Sequence, residues 1–226
     1  MRALVLDFGG VISRTLFETH AQTEAALGLP AGTLSWRGPF DPANDALWRD
    51  MQAGRISERG YWLQRAREVG RLLGEDWSEM CTLVQRARGA EPDAVARPET
   101  LALMREAHAT GLKLAILSNE LDLFYGAALR QRMAALRDVE LIVDATYTGI
   151  LKPDARSYAL CTEQLLVAPG DCLFVDDQMR NVDGARAAGM VALWFDVTRP
   201  QQSCDEARRR LGLAVAGGER LANDRA

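Results

Sequence analysis

Cysteine is sparse in this chain: four residues in 226, at positions 81, 161, 172 and 204, with no C-x-x-C pair and no histidine cluster beside them. That pattern excludes a disulfide framework and a thiolate zinc site, and leaves Cys81, Cys161, Cys172 and Cys204 as expected buried thiols. Histidine is scarcer, with only His20 and His108. Long apolar runs are missing too. The opening MRALVLD has four uncharged residues before Asp7, too few for a secretory leader, and no stretch approaches membrane-spanning length, so a cytoplasmic protein without a membrane partner is expected. Positive charge is not in surplus, because 27 basic against 31 acidic residues leave a net charge of −4. Nucleic acid is therefore not an expected partner. Internal repeats and low-complexity tracts are also absent. The chain does hold 48% hydrophobic and 26% charged residues, enough to bury the core of one large domain or two smaller ones.

Short apolar runs at Ala3 to Leu6, Lys113 to Leu117, Leu141 to Val143, Cys172 to Val175 and Val191 to Phe195 read as buried parallel strands. Helical patterns alternate with them. The clearest is PETLALMREAHATG, with Pro98 at its start, Leu101, Met104 and His108 on one face, and Gly111 as its stop. Alternation of this kind predicts an α/β fold with a doubly wound parallel sheet, whose sites gather beyond the carboxyl ends of the strands. Residues 15–92 break the pattern, since helix signals follow one another there without a strand: Asp41-Pro42 to Gly54, Ser57 to Gly74, and Asp76 to Gly89. Trp62, Ala66, Val69 and Leu73 form a stripe at helical spacing, and Trp36, Phe40, Trp48 and Trp77 crowd the same segment, as the core of a small helical bundle does. The expected organisation is an α/β core over residues 1–14 and 93–205, an inserted helical cap over 15–92, and a C-terminal helix and tail over 206–226.

On such a sheet several polar residues fall at one edge: Asp7 after the first run, Ser118 and Asn119 after KLAIL, Asp176 and Asp177 after CLFV, and Lys152 in GILKPDA. Each alone has an ordinary explanation as a turn residue, a helix cap or a surface charge. Together they place three carboxylates, a hydroxyl and an ammonium in one crevice. Two carboxylates about 4 Å apart repel by roughly 4 kcal/mol at an effective dielectric near 20. A cation must therefore sit among them. Lys152 supplies one positive charge, and an oxygen-ligated Mg²⁺ would supply two more, preferred over zinc where neither His nor Cys is present. A phosphoryl group suits that setting, and Gly9 and Gly10 let the backbone turn beside Asp7 and approach its oxygens.

The order Asp7, Ser118, Lys152, Asp176-Asp177, each in its own strand-end context, resembles the haloacid dehalogenase superfamily, in the branch with a helical cap between the first and second motifs. The resemblance spans about residues 2 to 198. It implies a Rossmann-like core and a Mg²⁺-dependent phosphatase acting on a small phosphorylated metabolite. By that resemblance Asp7 is the nucleophile that forms an aspartyl-phosphate, Ser118 hydrogen-bonds the phosphoryl group and Lys152 steadies both. Gly9, Gly10 and Asn119 would join Ser118 and Lys152 around the substrate. Asp7, the Gly9 carbonyl, Asp177 and Asp176 would hold the metal, with Asn181 reaching back from four residues on.

One position departs from the pattern. Most phosphatases of the superfamily carry a second aspartate two residues after the nucleophile, as the general acid and base, and here that place is Gly9. Such assistance is typically worth about 10² to 10⁴ in rate. A substrate with a good leaving group, such as a sugar anomeric phosphate, would need it less, and a known group of α-glucose-1-phosphate phosphatases in the superfamily also looks like this. Otherwise the cap lends an acid, for which His20 is the sequence candidate, or turnover is lost and a phosphate-binding scaffold remains. Arg37, in SWRGPF, reads as a solvated loop residue, and His108 as a residue at a helix C-terminus. Carbon–halogen hydrolysis by the same carboxylate is a further alternative, but it leaves the Asp176-Asp177 pair without a purpose.

Overall fold

The computed structural model of the chain describes residues 1–88 and 92–215. Five strands form one all-parallel sheet in the order β3-β2-β1-β4-β5: β1 (Ala3–Leu6), β2 (Lys113–Ser118), β3 (Leu141–Asp144), β4 (Cys172–Asp176) and β5 (Val191–Trp194). The apolar runs make strands because both sheet faces are covered, which removes any need for polar alternation. On β1, Leu4 and Leu6 enter one core cluster while Ala3 and Val5 enter the other. The first cluster is closed by α5 (Pro98–Ala109) and α11 (Pro200–Leu211), through Leu103, Met104, Cys204 and Ala207. The second is closed by α9 (Ala155–Leu165) and α10 (Met179–Ala187), through Tyr158, Leu165, Val182 and Ala185. The result is the expected doubly wound α/β architecture. The chain steps from β1 through β2 to β3 at one edge, then crosses to β4 on the other side of β1 and on to β5, and the crevice at that reversal is the place such folds offer to a ligand.

Strand starts agree with the sequence reading, and the ends differ in an informative way. β2, β3 and β4 each run one residue further, to Ser118, Asp144 and Asp176, so their last positions are polar. Short helices α6 (Leu121–Tyr125), α7 (Leu129–Arg132) and α8 (Ala145–Thr148) fill the connections on either side of β3. The buried face of α5 is Thr100, Leu103, Met104 and Ala107. Leu101 is only partly buried, and His108 is exposed with Nε2 3.9 Å from Asp138, so the expected face was rotated by one position. Helix α11 starts at Pro200, continues through residue 206 and packs on the core, with Arg208 buried in an ion pair to Glu106 at 2.6 Å. The boundary expected at 205/206 thus falls inside one helix, and residues 216–226 of the anticipated tail lie outside the described residues. All four cysteines are unbridged and buried, as expected. Among the described residues, no helix is long and apolar enough to cross a membrane.

Between β1 and α5 the described chain is helical: α1 (His20–Leu27), α2 (Ala46–Gln52), α3 (Glu58–Leu72) and α4 (Cys81–Arg88). They enclose a third cluster that holds Phe17, Trp36, Trp48, Tyr61, Val69 and Trp77. Tyr61, Arg65, Ala66 and Val69 are the buried stripe of α3, and Trp62 and Leu73 sit at its margin. The buried Asp45 carboxylate organises this cluster, accepting from the amides of Gly38 (3.0 Å) and Trp48 (2.9 Å) and from the Arg65 guanidinium (2.6 Å).

The helical segment leaves and re-enters the sheet layer through two adjacent chain passes. Ser13 and Ala96 form an antiparallel bridge, the Arg14 amide donates to the Val95 carbonyl at 2.7 Å, and that of Arg97 to Ile12 at 2.8 Å. Arg97 locks the crossing. Its buried guanidinium grips both carboxylate oxygens of Glu18 at 2.8 Å and donates to the Gly10 carbonyl at 3.0 Å. Arg97→Ala is expected to cost about 3 kcal/mol, because it leaves the Glu18 carboxylate without its cationic partner and a buried carbonyl without its donor. Urea denaturation measures it, and a loss below about 0.5 kcal/mol would show that the clasp contributes little.

Candidate active site

Asp7 directly follows β1, where its amide donates to the Val175 carbonyl at 2.9 Å and its side chain enters a cleft. The cleft is partly open to solvent, and its lining includes Asp7, Gly9, Gly10, Ser118, Asn119, Lys152, Asp177 and Asn181. The strand-end residues expected to converge lie around one point. Lys152 Nζ sits 2.8 Å from Asp7 Oδ1 and 2.7 Å from Asp176 Oδ2, with its side chain 1% exposed. Burial alone would lower the lysine's pKa, but Asp176 and Asp7 outweigh it and hold the ammonium above the ordinary lysine range.

Asp176 is fully spent on this framework. Its oxygens accept from Lys152, from the Gln178 amide (2.8 Å) and from the Asn181 side chain (3.0 and 3.1 Å). Asn181 thus reaches back to the site through Asp176. Asn119 also positions: its Oδ1 accepts from the Lys152 amide at 2.7 Å and its Nδ2 donates to the Lys152 carbonyl at 3.3 Å, across a cis Lys152-Pro153 peptide. The Ser118 hydroxyl, on the last residue of β2, accepts from the Glu120 amide at 3.4 Å and faces the cleft.

Asp177 is different. Its carboxylate accepts a 3.3 Å hydrogen bond from the neighbouring Gln178 side chain and no ion pair among the described residues. Burial, compounded by Asp176, Asp7 and Glu58, pushes it well above the usual carboxylate range. Burial, opposed by Lys152 and reinforced by Asp176, pushes Asp7 up to about 7. Ligand oxygens of Asp7, Asp176 and Asp177 lie within 4.8 Å of one another. One ammonium does not neutralise three carboxylates. A hard divalent cation with oxygen ligands fits the donor set, and Asp177 is the group left for it. The glycine turn is shaped around the same carboxylate: at Gly10 (φ 77°) a Cβ would come within 2.8 Å of Asp177 Oδ2, so both backbone and space demand glycine. At Gly9 a Cβ would meet nothing within 4 Å, and the room for a longer side chain is present where the side chain is not.

Glu58, Glu120 and Gln178 are among the cleft residues that were not anticipated. Glu58, the first residue of α3, lines the cleft and pairs with Arg180 at 2.6 Å. Burial and the nearby Glu120, offset by Arg180, push its carboxyl up to about 7. Glu120 pairs with Arg59 at 2.8 Å, and Gln178 accepts from Gln52 of α2 at 3.2 Å. Polar bridges therefore join the helical segment to the strand ends. His20 does not belong to the cleft lining. Its ring packs on Trp36 at 4.4 Å, neither ring nitrogen has a hydrogen-bond partner among the described residues, and burial, with Arg37 adding, lowers it to about 4. Its expectation as a substitute acid is overturned by that apolar setting. Arg37 is exposed, as expected.

The family model for the haloacid dehalogenase-like hydrolases matches residues 1–189. The chain is a member of that family. Phosphatase MT3486 of Mycobacterium tuberculosis is 39% identical over 100 residues, which are 44% of this chain and 46% of that protein, so the chain spans under half of that relative. A phosphoserine phosphatase of Thermus thermophilus is 29% identical over 87% of this chain and 89% of its own length. The sesquiterpene phosphatase astK of Aspergillus oryzae is 25% identical over 93% and 97%. Among solved structures, a phosphatase of the family from Thermococcus onnurineus superposes with a TM-score of 0.56 at 20% identity, covering 95% of this chain and 100% of that one. The L-2-haloacid dehalogenase of Xanthobacter autotrophicus gives 0.58 at 22%, covering 96% and 84%. These two likenesses are of fold.

Carboxyls raised on folding bind protons that the unfolded chain releases, so Asp7 and Glu58, near 7 against ordinary values of 3.8 and 4.5, make metal-free stability fall as pH rises between about 4 and 7 and together outweigh the opposite contribution of His20, held to about 4 against 6.5. Thermal melts of chelator-treated protein should show that fall, with Mg²⁺ reversing most of it at pH 7. Asp177→Asn should raise the metal-free midpoint by about 2–4 °C for each kcal/mol of relieved repulsion and abolish the Mg²⁺ response. A midpoint that rises with pH in chelator, or a Mg²⁺ shift that survives in Asp177→Asn, contradicts the assignment.

Proposed function

We propose that the protein is a Mg²⁺-dependent phosphomonoester hydrolase acting on a small phosphorylated metabolite, with residues 15–92 as a cap over an α/β core and Asp7 as nucleophile. The observation that carries this reading is the Lys152 ammonium seated between Asp7 and Asp176, with Asp177 beside them in want of a cation. Asp7, Asp177 and the Gly9 carbonyl would hold Mg²⁺, with Asp176 behind them, and the ion would supply charge neutralisation for the phosphoryl oxygens. The fold likeness to dehalogenases leaves carbon–halogen hydrolysis as an alternative, but that chemistry gives a third crowded carboxylate no task.

In the first half-reaction an Asp7 oxygen attacks phosphorus, the bond from phosphorus to the ester oxygen breaks, and the leaving oxygen takes a proton. In the second, water attacks the phosphorus of the aspartyl-phosphate, loses a proton, and inorganic phosphate leaves with the Asp7 carboxylate restored. Lys152 stays beside Asp7 throughout and offsets the transferred charge, while Ser118 offers its hydroxyl to a phosphoryl oxygen. The proton needs a carrier that Gly9 does not provide. Glu58 is the carboxyl that the cap places on the cleft wall, and we assign it that task, giving the proton to the leaving oxygen and taking one from water.

Release of phosphate from a panel of phosphomonoesters, with and without Mg²⁺, tests the reading. Asp7→Asn should lower kcat by at least about 10³-fold. Glu58→Gln should lower it by about 10²-fold on an alkyl phosphate and far less on acetyl phosphate, whose leaving group needs no proton. Equal losses on both would make Glu58 structural. Tight binding across the panel without Mg²⁺-dependent release would identify a phosphate-binding scaffold, and halide release insensitive to chelator a dehalogenase.

A further inference from the structure

The cleft lining is of two kinds. One is the carboxylate and lysine cluster, and the other is an apolar wall of Leu16, Phe17, Trp48 and Trp62 from the helical segment, where Phe17 packs on Trp48 at 5.3 Å and on Trp62 at 5.5 Å, with Leu121 and Phe124 from α6. The wall is contributed from both sides of the cleft, so a ligand placed there is enclosed only while the two parts are together.

Several of the polar groups that line the cleft are partnered within the protein. One Glu58 oxygen is held by Arg180 and one Glu120 oxygen by Arg59. The Thr15 hydroxyl donates to Glu18 at 2.9 Å. Arg14 lines the cleft too, but a guanidinium only donates. A sugar phosphate, the class anticipated from Gly9, needs acceptors as well as donors for each buried hydroxyl, and a hydroxyl left unpaired is expensive. A hydrocarbon needs neither, and gains from every methylene it brings out of water.

Resting on the hydrolase reading above, we propose that the substrate is the phosphate monoester of an apolar alcohol, with the alkyl or aromatic part against Trp48, Trp62 and Phe124 and the phosphoryl group at Asp7. The cap then acts as the specificity element by supplying most of the wall.

A series of n-alkyl phosphates from ethyl to octyl, assayed for phosphate release in saturating Mg²⁺ beside glucose 6-phosphate and phosphoserine, tests this. All these leaving groups are alcohols, so preference reports on the walls. The expected result is kcat/KM rising roughly three- to fourfold per methylene until the wall is filled, with hexyl phosphate ahead of glucose 6-phosphate by at least about tenfold. A flat or falling series, or a preference for either polar ester, overturns the inference while leaving hydrolysis intact. Calorimetric binding of the matching n-alkylphosphonates supplies a readout free of turnover. Affinity that climbs with chain length while no ester is hydrolysed supports the wall and rejects the hydrolase reading, and flat phosphonate affinity rejects the wall. Trp62→Gln and Phe124→Ser should each flatten the phosphonate series by about tenfold at octyl. Wild-type slopes in both correctly folded variants would contradict the placement.

Discussion

The structure turns on one buried ammonium. Lys152 lies 2.8 Å from Asp7 and 2.7 Å from Asp176 with almost no solvent to share its charge. Without it, strand-end carboxylates gathered at one point would repel by several kcal/mol at an effective dielectric near 20. Much of the local structure serves to seat this side chain. Asn119 grips the Lys152 peptide through donor and acceptor together, while Asn181 and the Gln178 amide fix Asp176 so that it faces the lysine. The parallel sheet supplies the rest, because its three central strands end on the same side, β2 and β4 at Ser118 and Asp176 and β1 one residue before Asp7. One cation still falls short of three carboxylates. That deficit is what makes Asp177 the natural holder of a divalent ion, and Gly10 is the residue that gives the carboxylate its space.

A second ring of charge lies further out. Arg180 with Glu58 and Arg59 with Glu120 span from α3 to the strand-end loops, and Gln52 meets Gln178 beside Asp177. Both arginines reach solvent, so these partly exposed pairs add little to stability and their value lies in register: they set the helical segment against the strand ends. At the other side of the joint the Arg97 clasp ties Glu18, at the start of the helical segment, to the carbonyl of Gly10. The positions of the helical segment and of the glycine turn are therefore mechanically linked, and the apolar wall and Asp7 are held in one arrangement.

Much of this was legible in the sequence, for a physical reason. Parallel strands buried on both faces write themselves as uninterrupted apolar runs, and a polar residue that ends such a run is placed at the ligand-binding edge by topology alone. Asp7, Ser118, Asp176 and Asp177 were readable in that way, and Lys152, a loop beyond the Leu141 strand, by its place among them. Side chains set by tertiary approach were not. Glu58 follows Ser57 at the start of α3, where an acidic residue is ordinary on dipole grounds, so nothing local marked it as facing the cleft. Glu120 did carry a signal, standing two residues beyond the end of β2. His20 failed for the converse reason: proximity along the chain to Asp7 said nothing about which face of α1 would turn toward Trp36. The face of α5 was misplaced by one residue because Leu101 and Leu103 offer competing stripes, and packing against β2 and α11 decides between them.

The central claim is that Asp7, Asp177 and Lys152 form one phosphoryl-transfer centre built around a divalent ion. A crystal structure grown with Mg²⁺ and fluoroberyllate tests it most directly. The account predicts the beryllium group bound to the Asp7 carboxylate, Mg²⁺ held by Asp7 and Asp177, and Lys152 still bridging Asp7 and Asp176. An ion bound elsewhere, or Lys152 turned out to solvent with Asp7 unmodified, would contradict it.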